Sequence, residues 1–232
     1  MKAIHQGDLN RRSFWKPAAM SMNQPDTIAT ALTRSRYQRL SPVYDRMEGM
    51  AEKRYLPWRK RVWSLVDGDK VLEVGVGTGK NMPYYPADTH ITAIDLTPGM
   101  LEHARLRAAD LNLQVDLRLG DVQALEFSDA SFDTVVATFV FCSVPDPVLG
   151  LEQIRRVLRP GGRVLLLEHM RSANPLIGVG MDLLNPLVVR TMGANINRRT
   201  VDNVQKAGLE LVMIEDLGLR GVFKFLVAKK PF

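Results

Sequence analysis

The chain has 232 residues, 46% hydrophobic and 24% charged, enough for one well-buried core with a small appendage and too few for two full domains in comfort. A single cysteine, Cys142, excludes an internal disulfide framework and a cysteine-built structural zinc site, so a cytoplasmic setting is expected and no metal site is called for. The net charge of +6 is uneven: residues 1–61 carry 13 Lys/Arg against 5 Asp/Glu and residues 62–232 carry 18 against 20, and a basic front end of this kind points to a polyanion, either nucleic acid or an anionic lipid surface.

Residues 1–30 mix Gly, Asn, Ser, Pro and charges without periodicity and read as a flexible basic N-terminus that lacks the apolar core of a secretory signal. From Thr27 to Lys60 two helices are predicted, broken at Ser41-Pro42 because proline disfavours helical geometry in the residue before it. Pro57 is expected to end or kink the second. Residues 31–66 then form a helical lid, with Ile28, Leu32, Tyr37 and Leu40 available for one apolar face.

Residues 67–232 alternate short β-rich runs with helical segments, the pattern of a parallel sheet built from βαβ units. Strands are predicted at 70–74, 90–94, 114–119, 132–137, 163–168, 210–217 and 222–228, with helices at 79–84, 98–111, 147–158 and 199–207. Pro160-Gly161-Gly162 marks a stop after the third helix. Only Gly218–Gly221 joins the last two strands, too short for a right-handed crossover, so they should pair antiparallel. The fold class is therefore α/β: a Rossmann-like, seven-stranded, mostly parallel sheet with a C-terminal antiparallel hairpin, helices on both faces and an N-terminal helical lid. Pro175–Met192 contains Asp182, Asn185, Pro186 and Arg190 and reads as an irregular, partly amphipathic insertion. No stretch reaches the roughly 18 to 20 apolar residues of a membrane span.

The most informative segment is Val71–Gly79, an apolar strand that delivers Gly75, Gly77 and Gly79 to the start of a helix. Glycine there permits a tight turn and lets a ligand approach bare backbone. A dinucleotide fingerprint needs its third glycine at position 80, which is Lys80, and this argues against NAD or FAD. Glu73 precedes the turn. Asp95 ends the second strand, where a carboxylate can accept both hydrogen bonds of a ribose diol. Asp121 follows the third strand and can accept from an adenine amino group, with Val122 as an apolar wall. Three acidic strand tips repel a pyrophosphate and suit a cationic adenosine compound, a description that fits S-adenosylmethionine (SAM).

These residues, together with Leu158-Arg-Pro-Gly-Gly162, resemble the motifs of class I SAM-dependent methyltransferases over about residues 35–230. The resemblance implies that Gly75 and Gly77 line the methionine part of SAM, Asp95 holds the ribose, Leu96 packs on adenine, and Asp121 and Val122 frame that ring. Glu73, Gly79 and Thr138 complete the cofactor set, and the spent cofactor is S-adenosyl-L-homocysteine. Arg34–Asp45 resembles the N-terminal lid of bacterial phosphatidylethanolamine N-methyltransferases and of the related ubiquinone/menaquinone methyltransferases; Tyr37 and Tyr44 match the aromatic residues that close over the cofactor. Thr138–Pro147 is similar to a run shared by the same two groups.

Methyl transfer is an in-line displacement that depends mostly on positioning in a dry pocket. An ammonium acceptor must first lose a proton, and His169, with an ordinary pKa near ~6.5, is the candidate base, with Glu168 to orient it or attract the ammonium and Tyr44 beside them. Phe141 is expected on the acceptor side, and Arg190, Arg198 and Arg199 are placed to bind a lipid phosphate. Cys142 reads as a packed thiol. The reading favoured is N-methylation of phosphatidylethanolamine and its methylated intermediates towards phosphatidylcholine, by an enzyme peripherally bound to an anionic membrane surface. Quinone C-methylation or another small-molecule methylation is the alternative, and SAM binding without catalysis stays open. A nucleic-acid substrate is disfavoured by the absence of the Asp/Asn-Pro-Pro-Tyr/Phe loop after the fourth strand, and no obligate protein partner is evident.

Overall fold

The computed structural model describes residues 25–232, so most of the expected flexible N-terminus lies outside the described residues. The first helix, α1 (Thr27–Leu40), begins inside that segment because Asp26 caps it, accepting from the Ile28 and Ala29 amides at 3.0 and 3.1 Å. A single 3₁₀ turn at Ser41–Val43 separates it from α2 (Tyr44–Trp63). The expected break at Pro42 is thus present. Pro57, by contrast, does not end α2, which runs on for another turn and a half to the buried Trp63; anchoring of that last turn in the core outweighs one missing amide.

The sheet has seven strands: β1 (Lys70–Val74), β2 (His90–Asp95), β3 (Asp116–Leu119), β4 (Phe132–Thr138), β5 (Leu158–His169), β6 (Glu210–Gly218) and β7 (Phe223–Lys229). Their order is β3-β2-β1-β4-β5-β7-β6. The first five are mutually parallel and β7 runs antiparallel to both β5 and β6. Strand order reverses between β1 and β4, so the carboxyl ends of those two strands flank the crevice where α/β sheets bind ligands. Pro160-Gly161-Gly162 forms not a free turn but an irregular entry to β5, where Gly161 donates to Lys230 O and pairing resumes at Thr134↔Arg163.

Side-chain alternation along the central strands sends Val135, Val164 and Leu166 to one face and Val136, Leu165 and Leu167 to the other. The first face is covered by α4 (Pro147–Val157) and α6 (Thr200–Lys206), the second by α2, while α3 (Pro98–Asp110) closes over β2 and the glycine turn. The predicted helix at 79–84 is only a 3₁₀ turn at Met82–Tyr84, because Pro83 and then Pro86 leave no room for a regular turn.

The larger correction is Pro175–Met192. It is not irregular but one continuous 18-residue helix, α5, capped by Asn174 at one end and by left-handed Gly193 at the other. Asn185 does not interrupt it because its side chain works outside the helix, accepting from Ile196 N at 2.9 Å and donating to Asn195 Oδ1 at 3.2 Å.

Candidate functional site

β1 ends in a turn whose glycines all have positive φ: +68° at Gly75, +56° at Gly77 and +83° at Gly79. The three positions differ in what a side chain would meet. A Cβ at Gly75 would lie 2.5 Å from Val140 Cγ2 and one at Gly79 2.8 Å from Met82 Sδ, whereas one at Gly77 meets nothing within 4 Å. Bare backbone at Gly77 therefore faces open cavity, and Gly79 serves packing rather than lining the site.

A cavity with about 740 Å³ of empty volume, open on one side, extends from Gly75 and Gly77 across the tips of β2, β3 and β4. Asp95, Leu96, Asp121, Val122 and Thr138 line it. Tyr37 and Thr33 from α1 and Tyr44 from α2 close its other side, so the two helices act as the expected lid. Asp95 is held by the amides of Gly77 (2.9 Å) and Thr97 (2.8 Å), and burial raises its pKa against those bonds. Asp121 Oδ1 accepts from Gln123 N at 2.9 Å. The Tyr37 hydroxyl meets Ser143 Oγ at 2.5 Å, which ties lid to wall.

A smaller cavity adjoins it between α2 and the glycine turn, lined by Tyr44, Glu48, Arg59, Gly77, Lys80 and Phe139 among others. Lys80 Nζ lies 3.0 Å from Glu48 and 3.4 Å from Glu52, and Arg59 donates to Glu52 at 2.8 Å and to Asn81 at 2.9 Å. Both signs of charge thus face one small space, as an amino-acid zwitterion requires. Tyr44, Thr138 and Phe139 line both cavities and mark their junction. Phe139 has φ +57°, a conformation rare for a bulky residue; its amide is pinned to Leu167 O at 2.8 Å and its ring meets Tyr55 at 4.7 Å.

Several expected site residues stand elsewhere. Glu73 is 1% exposed and turned under the glycine turn, bonded to Asn81 Nδ2 at 2.6 Å and to the Tyr85 hydroxyl; burial, against those two bonds, pushes it up to about 7. Glu168 is fully buried and faces neither cavity. Its Oε1 accepts from Val140 N (3.0 Å) and Phe141 N (3.1 Å), its Oε2 has no partner, and burial pushes it up to about 8. It holds the β4 exit loop from below. His169 lies on the opposite side of β5, edge-on to Phe223 at 5.4 Å, and burial lowers its pKa; it does not line the cavities either. Phe141 is core, fully buried in the cluster under α4. Alternation explains both misplacements: neighbours in a strand point to opposite faces, and at β5 neither face opens on the cavity.

The three arginines do not converge. Arg198 donates to Val144 O at 2.6 Å and is partly buried, Arg199 precedes α6 without a capping side-chain bond and is exposed, and Arg190 lies exposed on α5. Cys142 is buried and its thiol is pushed up to about 12 by burial, consistent with a packed thiol. On α1, Tyr37 and Thr33 face the cavity while Ile28 and Leu32 face outward at 73% and 52% exposure, so the four apolar residues do not share one face. Ser143, Glu48, Arg59 and Asn81 went unnoticed in the sequence; each gains meaning only from a partner more than 20 residues away, or, for Asn81, from the burial of Glu73. Among the described residues no group of three or more His, Cys, Asp or Glu could hold a metal ion.

Residues 72–166 match a family described as a methyltransferase domain. The phosphatidylethanolamine N-methyltransferase of Cereibacter sphaeroides is 37% identical over 166 residues, 68% of this chain and 79% of that protein. The chain belongs to the SAM-dependent methyltransferases. A demethylmenaquinone methyltransferase of Paenarthrobacter aurescens is 31% identical over 193 residues, 80% of this chain and 68% of that protein. In fold, this methyltransferase resembles the [4+2]-cyclase SpnF (TM-score 0.71, 19% identity, 88% of this chain and 96% of that one). It also resembles a Thermotoga maritima SAM-dependent methyltransferase described as a possible histamine N-methyltransferase (TM-score 0.64, 22% identity, 84% and 99%).

The cofactor of the methyltransferase is therefore SAM, and its site fits that molecule: backbone without a Cβ at Gly77, two carboxylates with apolar neighbours at the β2 and β3 tips, and a wall of mixed charge beyond the junction. When bound, SAM supplies a methyl group activated by its sulfonium. Asp95, Leu96, Asp121 and Val122 would hold the adenosine part, and Gly77, Glu48 and Lys80 the amino-acid part.

Proposed function

We propose that this methyltransferase transfers methyl groups to the amine of phosphatidylethanolamine and of its methylated intermediates, towards phosphatidylcholine, while peripherally bound to an anionic membrane surface on its cytoplasmic side. The observation that carries the reading is the 37% identity over 166 residues with the phosphatidylethanolamine N-methyltransferase of Cereibacter sphaeroides. Site chemistry supports it. At the junction of the two cavities Tyr44 and Phe139 present aromatic faces, a setting that attracts an ammonium and its methylated forms. His169 stands away from the cavity and is not placed to take the ammonium proton; burial, with Glu48 adding, raises Tyr44 well above its ordinary pKa and keeps its hydroxyl neutral, so that its oxygen can accept a hydrogen bond from the ammonium while the proton leaves to solvent through the open side of the cavity.

The longer match to a demethylmenaquinone methyltransferase favours C-methylation of a quinone precursor as a second reading. Purified protein with radiolabelled SAM and, in parallel, phosphatidylethanolamine vesicles, a demethylated quinone and tRNA separates the readings. Label is expected in the lipid. Label in the quinone with none in the lipid overturns the first reading in favour of the second, and label in tRNA overturns both.

A further inference from the structure

Helix α5 exposes an apolar face that nothing among the described residues covers. Leu176, Val179, Leu183 and Leu187 follow one another at spacings of three and four, so they form a single stripe, and they are 86%, 62%, 79% and 61% exposed; Leu184 flanks them at 54%. The opposite face packs inward through Gly178 and Met181. Of the two charged residues in the helix, the exposed Asp182 lies on the edge of the stripe, paired with Arg171 (2.8 Å) and Asn197 (3.1 Å), while Arg190 continues the outward stripe. The stripe itself therefore carries the cation Arg190, and the acid at its edge is already paired with Arg171. More cationic residues stand at its two ends: the Arg36 side chain lies against Gly193 at the α5 C-cap, and the exposed Arg220 is tied through its carbonyl to Ser172, just before the N-cap. The helix is not apolar enough to cross a bilayer.

The stripe is also continuous with the lip of the site. Directly after α5, Asn195 donates to Cys142 O through its amide (2.8 Å) and side chain (3.1 Å), and Arg198 donates to Val144 O. Ser143, Val144 and Pro145, in that same stretch, line the cavity. On the other flank, Arg36 precedes Tyr37 in the lid.

We infer that the outward face of α5 docks on a lipid bilayer, lying in the plane of the headgroups with its leucines in the acyl boundary and Arg190, Arg36 and Arg220 on anionic headgroups. An apolar stripe whose rim carries Arg190, Arg36 and Arg220 against one acid, Asp182, that is already paired with Arg171 has the complementarity of an anionic interface. The position brings the cavity lip to the surface from which a phospholipid would enter, so the assignment rests on the phospholipid reading of the acceptor while being measured separately from it.

The test uses the full chain and the variant Leu183→Glu/Leu187→Glu, with Leu106→Glu, on the outer face of α3, as control. All three substituted leucines are exposed, so folding is retained, and SAM affinity and melting temperature verify it. Sedimentation with vesicles of phosphatidylglycerol and phosphatidylcholine is expected to show at least a tenfold weaker association for the double variant and wild-type association for the control. Methylation of a short-chain, monomeric phosphatidylethanolamine should stay unchanged while methylation of vesicle lipid falls. Equal vesicle binding by wild type and double variant overturns the inference, and so does a wild-type dimer that the double variant abolishes. Loss of vesicle binding together with no methylation of short-chain lipid by any of the proteins upholds the docking face and overturns the phospholipid acceptor.

Discussion

The two walls of the cavity are built on different physical terms. The sheet side rests on strand tips rooted in the core: Asp95 is fixed by two amides, and the glycine turn is set by left-handed backbone that few other residues adopt. The lid side is held by contacts between surfaces. α1 has no buried residue at all, and it meets the domain through Tyr37–Ser143, Thr30–Asp121 and Gln38–Gly99. α2 adds Asp45, which accepts from Thr78 at 2.6 Å and from Arg107 at 2.6 Å. One wall is a rigid mould and the other a cover that a few hydrogen bonds hold shut. Substitutions on the sheet side should therefore destroy binding, while those on the lid side should tune it.

The strongest challenge to that contrast lies within the glycine turn. Gly75→Val combines positive φ with a clash against Val140 and should weaken SAM binding by about 100-fold or more and lower the melting temperature, at a cost of roughly 3 kcal/mol. Gly77→Ala clashes with no protein atom, so it should cost only about 1 kcal/mol of stability yet about tenfold in SAM affinity by calorimetry. Equal affinity in Gly77→Ala and wild type would mean that the ligand does not approach that backbone.

Next in size is the effect of Glu168. Its carboxyl ionises near 4.5 ordinarily and is pushed up to about 8 here by burial. The neutral form therefore favours folding fully below about pH 4.5, and that contribution is lost progressively as pH rises towards 8. Wild-type melting temperature should fall across this window, with Glu73 adding the same sign up to about 7. Glu168→Gln should flatten the fall. A variant as steep as wild type would mean that Glu168 is already ionised in the fold.

The smallest effects belong to the lid. Tyr37→Phe and Ser143→Ala each remove one hydrogen bond worth about 1 kcal/mol and should each raise the KM for SAM about fivefold. The double variant should be no worse than either single one, since both remove the same bond. Full additivity would show that the two side chains act apart, and would loosen the distinction between mould and cover.

The sheet side was legible because backbone conformation leaves a mark in composition. Alternating glycines, a carboxylate at each of two strand ends and a four-residue link between the last strands have few other physical explanations. Legibility stopped where a side chain's role depends on which face it takes. Glu168 and His169 sit at a strand end that sequence locates well, yet one supports the β4 exit loop and the other packs on Phe223. Helix α5 was hidden because Asn185 and Pro186 are breakers by local preference, while the capping of its two ends and the contacts of Asn185 with the following loop are tertiary facts. Arg59, Asn81 and Glu48 form a network between α2 and the glycine turn that no spacing along the chain announces.

Phe139 draws a further line between durability and work. A glycine would take φ +57° without strain, so Phe139→Gly would let the chain relax at that point, yet it would also remove the ring that separates the two chambers and braces Tyr55. A scaffold optimised only to endure heat would favour the smaller residue there, and its gain would come at the expense of the partition where the methyl donor and its acceptor have to meet.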